Sequence, residues 1–194
     1  MDLKQHVYSV LIVSGNQKFG EQLSAVLSGN YQPVETCGSV NQAQRKLSER
    51  SYDIVLINTP LPDDFGVRFA SDISATEGTV VLIFVKSEFY EQVREKVEKD
   101  GVFVLRKPSA PPILDQSFDW LRAMRERLRR MERKSLTLQE KMEEIKLINR
   151  AKMVLITHLN MTEEAAHRYI EKQAMDRCVS KRAIAQTILQ TYKE

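Results

Sequence analysis

Apolar runs and segments of helical spacing alternate through the first part of the chain. Tyr8–Val13, Val34–Thr36, Ile54–Ile57, Val80–Val85 and Val102–Leu105 read as strands. Between them, Phe19, Leu23, Val26 and Leu27 recur at helical spacing up to Ser28-Gly29-Asn30. Val40–Glu49 turns Ala43 and Leu47 inward, a helix runs through Phe69 and Ile73, and Glu88–Lys99 is helical as far as Gly101. Near-continuous apolar strands alternating with helices predict a parallel sheet covered on both faces. The expected fold is α/β, a doubly wound five-stranded parallel sheet, whose ligands gather at the carboxyl ends of the strands. Those ends are Ser14-Gly15, Asn58, Val85-Lys86 and Arg106-Lys107-Pro108.

The pattern changes after Pro111-Pro112. From Ile113 to Arg150 there is no Gly and no Pro. Leu121, Met124, Leu128, Met131, Ser135, Leu138, Met142, Ile145 and Asn149 alternate there in steps of three and four. This heptad stripe suits either a helix packed on its own domain or a coiled-coil seam. A helix of this length spans on the order of 50 Å at 1.5 Å per residue, which outreaches a small domain and favours pairing. The expected homodimer seam is therefore Leu121, Met124, Leu128, Met131, Leu138, Met142 and Ile145. Polar Ser135 and Asn149 within it set register or mark loosening.

Beyond Asn149 the helix continues to about Leu159, and Asn160-Met161 breaks it. Thr162 is expected to cap a helix carrying Ala166, Tyr169, Ile170 and Ala174. After Arg177-Cys178-Val179, Ser180 caps another, with Ile184, Ala185, Ile188 and Leu189 inward. The chain thus divides into residues 1–112, a helix over 113–150 and a small three-helix bundle over 151–194.

Composition sharpens this. Of 194 residues, 42% are hydrophobic and 28% charged, as in a globular protein. No apolar run reaches membrane-spanning length, and Met1–His6 has no signal-peptide core, so a cytoplasmic protein without membrane contact is expected. Cys37 and Cys178 have no metal or redox spacing, and His6, His158 and His167 no catalytic spacing. An enzyme, a metal and a cofactor are therefore not expected. The charge of +3 is uneven: residues 1–112 hold 12 Lys/Arg against 14 Asp/Glu, and residues 113–194 hold 17 against 12. A polyanion would bind the back half. Arg122, Arg125, Arg127, Arg129, Arg130, Arg133 and Lys134 crowd the long helix as a solvated face or a phosphate-binding patch.

Asp53-Ile-Val-Leu-Ile-Asn-Thr-Pro-Leu-Pro62 with Gly66, and Lys107-Pro108 after the last strand, resemble the receiver domain of two-component response regulators. The resemblance covers about residues 6–120. It implies a Mg²⁺-binding acidic pair, a phospho-acceptor Asp, a hydroxyl residue and a Lys at the strand ends. Ser14 and Gly15 replace the acidic pair, Asn58 the acceptor and Val85 the hydroxyl, and Lys107 alone matches. Phosphoryl transfer needs a carboxylate and a divalent metal, so the domain reads as a pseudo-receiver. Asp63 and Asp64 read as solvated turn residues.

Ile148-Asn-Arg-Ala-Lys-Met-Val-Leu-Ile156, Met161-Thr-Glu-Glu-Ala-Ala166 with Tyr169, Gln173-Ala-Met-Asp-Arg177 and Ala183-Ile-Ala185 resemble an ANTAR domain, beginning near residue 138. Lys181-Arg182 departs from the more mixed or acidic helix start of that family. The resemblance implies a dimeric RNA-binding transcription antiterminator, recognising stem-loops in nascent leader transcripts. It makes a sensor protein a candidate partner. Lys152, Arg168, Lys172, Arg177, Lys181 and Arg182 are the candidate phosphate contacts, and Tyr169 stacks on a base or packs between helices. The alternatives are a DNA-binding regulator and a protein-docking scaffold.

Overall fold

The computed structural model describes residues 7–27, 29, 31–76 and 78–192. Met1–His6, and the Ser28 and Asn30 of the expected helix stop, lie outside the described residues. The chain divides into two compact units, residues 1–130 and 131–194.

In the first unit, β1 (Tyr8–Ser14), β2 (Tyr31–Cys37), β3 (Ile54–Asn58), β4 (Val80–Lys86) and β5 (Phe103–Lys107) form one parallel sheet in the order β2-β1-β3-β4-β5. Between them run α1 (Gln17–Leu27), α2 (Val40–Glu49), α3 (Val67–Ser74) and α4 (Tyr90–Val97). This is the doubly wound sheet expected. β2 is longer than its apolar core suggested, reaching Tyr31 across Pro33. Its place at the sheet edge tolerates a residue without an N–H.

Strand alternation assigns side chains to two cores. Leu11, Val13, Val55, Ile57, Val81, Ile83 and Val85 pack with Ala43 of α2, Phe69 and Ile73 of α3 and Val93 of α4. Val10, Ile12, Ile54, Leu56, Leu82 and Phe84 pack on the other side with Leu23 and Leu27 of α1. The same side receives Phe118 and Leu121 from α5 (Pro111–Leu159), a helix of 49 residues. Pro111 opens α5 where its missing N–H costs nothing.

In the second unit, the end of α5 packs with α6 (Glu163–Asp176) and α7 (Lys181–Thr191). Ala151, Leu155, Ala166, Ile170, Ala174, Ile184, Ala185 and Ile188 form the core. Both expected caps are present: Thr162 Oγ1 accepts from Ala165 N and Ser180 Oγ from Ala183 N, each at 3.2 Å. α6 ends in a Schellman turn, with Val179 N donating to Ala174 O at 3.0 Å and Cys178 N to Met175 O at 3.1 Å. Cys178 takes the left-handed position, φ 51°. Among the described residues no helix is long and apolar enough to cross a membrane.

Candidate functional site

At the carboxyl edge of the sheet, register sets Ser14 of β1 beside Asn58 of β3. Asn58 Nδ2 donates to Ser14 Oγ at 2.9 Å. Ser14 in turn donates to Asn16 O at 2.9 Å, and Lys107 Nζ donates to Asn58 Oδ1 and to Thr59 O. Thr59 Oγ1 donates to Phe84 O at 2.9 Å. Burial, and then the neighbouring Lys86 charge, pull the Lys107 ammonium below its ordinary range. Val85 is buried among apolar side chains of the sheet.

The network is self-satisfied. Ser14, Asn58 and Lys107 are brought together as the sequence indicated, and Thr59 joins them; its place directly after Asn58 was the signal available for it. A Mg²⁺ ion does not fit this donor set. It wants carboxylate oxygens, whereas an amide and a hydroxyl stand here, already bonded to each other and to a cation. Gly15 leaves no room for an acid either, because a Cβ there would lie 2.8 Å from Pro62 Cδ. Asp63 is committed elsewhere: it accepts from Val40 N and Asn41 N at 3.0 Å at the start of α2. Asp64 accepts from Gly66 N. The two loop acids are turn-building groups rather than simply solvated ones.

The first turns of α5 correct the expected seam. Leu121 is 0% exposed in the sheet core, and Met124 and Leu128 pack against that core. Leu121 covers its own domain and is not free for a partner helix, and Met124 and Leu128 are half-buried against the same core. The physical reason is that one apolar stripe at helical spacing serves a sheet as well as a second helix. The Arg run is likewise partly internal. Arg125 Nε donates to Asp53 Oδ1 at 2.8 Å, with both side chains largely buried. Asp53 Oδ2 accepts from Ser9 N at 2.9 Å and Ser9 Oγ at 3.0 Å. Burial alone would raise the Asp53 carboxyl, but these donors outweigh it and hold the group below the usual carboxylate range. In the second unit the stripe is open: Met131, Ile145, Met142 and Leu138 are between 57% and 62% exposed.

The tail cations separate into two sets. Lys152 pairs with Glu163 at 3.1 Å, Arg168 with Glu164, and Lys181 with Glu171. Lys172, Arg177 and Arg182 are exposed and have no ion pair among the described residues. Tyr169 is 39% exposed, so it is not a core aromatic. It lines a cleft of about 160 Å³ together with Gln173 from its own helix, Arg177 just past that helix's end, Thr187 and Thr191 from α7, and Tyr192 just past α7. Gln173 and Tyr192 were missed from the sequence. Gln173 lies midway between Tyr169 and Arg177 at steps of four, which was the available signal.

The family described as the ANTAR domain matches residues 136–189. The transcriptional regulatory protein PdtaR of Mycobacterium tuberculosis (strain H37Rv) is 25% identical over 161 residues, covering 83% of this chain and 78% of that protein. A CheY-like response regulator receiver domain from Methylobacillus flagellatus superimposes with a TM-score of 0.53 at 22% identity, over 60% of this chain and 99% of its own. A structure titled adenylate cyclase from Rhodopirellula baltica gives 0.60 at 17% identity, over 69% of this chain and 98% of its own. At such identities the structural likenesses establish the receiver fold alone. Together with the family match, they give this chain a receiver-like N-terminal domain and, over residues 136–189, an ANTAR domain.

Proposed function

We propose that this protein is a dimeric, RNA-binding transcription antiterminator that recognises stem-loops in nascent leader transcripts. In this reading residues 1–112 are a pseudo-receiver, 113–150 a pairing helix and 151–194 the RNA-binding tail. The observation that carries it is the ANTAR match at 136–189. In support, Lys172, Arg177 and Arg182 stand on α6, at its end and on α7 with no internal partner among the described residues. Cations unpaired within the chain are available for phosphate, and those already neutralised by Glu163, Glu164 and Glu171 are less so. Met131, Leu138, Met142 and Ile145 are the proposed seam that holds two copies together. The receiver acts without phosphoryl transfer, with Lys107 hydrogen-bonded to Asn58 and Thr59 in place of a phospho-acceptor carboxylate.

The test is a mobility-shift comparison of paired RNA hairpins with randomised loops against duplex DNA of equal length. Preference for the hairpins is expected, and preference for the duplex would overturn the proposal. Replacing Lys172, Arg177 and Arg182 together by Gln should weaken RNA binding. It should also flatten the salt dependence by about 0.7–0.9 of a log–log unit per lost phosphate contact.

A further inference from the structure

We propose that the cleft between α6 and α7 is a pocket for one unstacked RNA base; this rests on the RNA reading above. The volume of the cleft is about 160 Å³. It is about half of the roughly 300 Å³ at which pockets for drug-sized ligands begin. That leaves room for one planar heterocycle and excludes a whole dinucleotide or a folded peptide.

The lining has the chemistry a base requires. Leu155, Ile184 and Ile188, all buried core residues, give the cleft an apolar floor. Tyr169 from α6 and Tyr192 from the end of α7 contribute rings from two different helices. The His158 ring lies 5.2 Å from that of Tyr192, tilted by 32°, and supports it. Aromatic faces of this kind are what unpaired bases stack on. Between the rings' helices, the Gln173 carboxamide has no hydrogen-bond partner among the described residues, and it offers both a donor and an acceptor to a base edge. Arg177, one turn further along, is the unpaired cation at the same cleft, placed for the phosphate of the nucleotide that enters.

Among the described residues the Gln173 carboxamide has no hydrogen bond and Arg177 no ion pair. The Thr187 and Thr191 hydroxyls on the α7 wall already donate to Ala183 O at 3.0 Å and Thr187 O at 2.9 Å. What they leave to the cleft is methyl surface and oxygen lone pairs. Base selectivity therefore falls to Gln173, and stacking affinity to Tyr169.

The experiment uses the full chain. Binders are drawn from a pool of RNA hairpins with randomised loops, and each loop nucleotide is then replaced in turn by an abasic one. One abasic position should cost wild type roughly 10- to 100-fold in affinity, the range of a single base–aromatic stack. Tyr169→Ala should cost a similar factor and be insensitive to that same abasic change, while Tyr169→Phe retains binding. Gln173→Leu should alter which base is preferred there. Circular dichroism checks that each variant is folded. Unchanged affinity and base preference in Tyr169→Ala and Gln173→Leu, with hairpin binding intact, would overturn the pocket and leave the RNA reading standing. If wild type bound no hairpin, the RNA reading would fall by itself. An NMR titration with AMP, GMP, CMP and UMP then decides the pocket separately. Shifts clustered on Tyr169, Gln173 and Tyr192 are expected, and their absence with all four nucleotides would overturn it.

Discussion

Truncating Leu121 to Ala separates the two jobs of helix α5. Leu121 is fully buried with Phe118, Leu56 and Phe84 beneath the sheet. The change removes three carbon groups, worth about 2.4 kcal/mol at roughly 0.8 kcal/mol each. The cavity left behind raises the cost to about 3–4 kcal/mol, since a sheet-packed site collapses only in part. Leu138→Ala is the contrast. At 62% exposure within one chain, it should cost a monomer less than about 0.5 kcal/mol and act only through association. The assay is urea unfolding at low and high protein concentration, followed by the fluorescence of Trp120, the single tryptophan, with molar mass from light scattering. Leu121→Ala should lower the midpoint equally at both concentrations and leave the mass unchanged. Leu138→Ala should lower the mass at limiting concentration, and with it any concentration-dependent stability. A Leu121→Ala cost below about 1 kcal/mol, far under the buried-leucine range, would refute the division of the stripe, as would loss of dimer with an unchanged midpoint.

Three further outcomes follow from the same contacts. Asp53→Asn should cost about 1–3 kcal/mol near neutral pH by removing the carboxylate that accepts from Arg125 Nε, Ser9 N and Ser9 Oγ. Because the folded Asp53 carboxyl is held low, its contribution is complete above the unfolded value of 3.8 and is lost as pH falls through the lower folded value. The stability gap between wild type and variant, measured by urea midpoints across acid pH, should therefore close on acidification; a constant gap would contradict the assignment. Lys107→Met should cost about 1–3 kcal/mol, because Asn58 Oδ1 and Thr59 O lose their donor; an unchanged midpoint would mean that water replaces the ammonium without loss. Cys178→Gly should stabilise the tail by about 1 kcal/mol, since glycine takes the left-handed position without a Cβ clash; thermal melting followed by far-ultraviolet circular dichroism would detect it, and a lower melting temperature would count against the Schellman assignment.

The two ends of the protein fit one regulatory logic. At the carboxyl edge of the sheet, the positions that carry charge chemistry in a receiver are filled by a closed hydrogen-bond set of Ser14, Asn58, Lys107 and Thr59. In the reading proposed above, this set holds no carboxylate that could accept a phosphoryl group. Control would have to come through association or through the RNA itself, and the exposed stripe from Met131 to Ile145 is where association would act.

Much of this was legible in the residues alone. Short apolar runs and helical spacing gave the five strands and their helices, because burial on both faces forces apolar runs of strand length. The caps at Thr162 and Ser180 were readable because a hydroxyl before a helix start has one local job. The missing carboxylates at residues 14, 15 and 58 were plain, since no neighbour can give a hydroxyl, a glycine or an amide the negative charge of a carboxylate. What periodicity could not tell was what covers an apolar stripe. Leu121 and Leu128 continue the heptads of Leu138 and Ile145 without a break, yet the sheet takes the first pair and solvent meets the second. Partners distant in sequence were invisible for the same reason. Arg125 finds Asp53, and Tyr169 and Tyr192 come to line one cleft in the tail, only once the chain has folded. A sequence specifies which side of an element must leave water; the three-dimensional packing alone decides what it leaves water for.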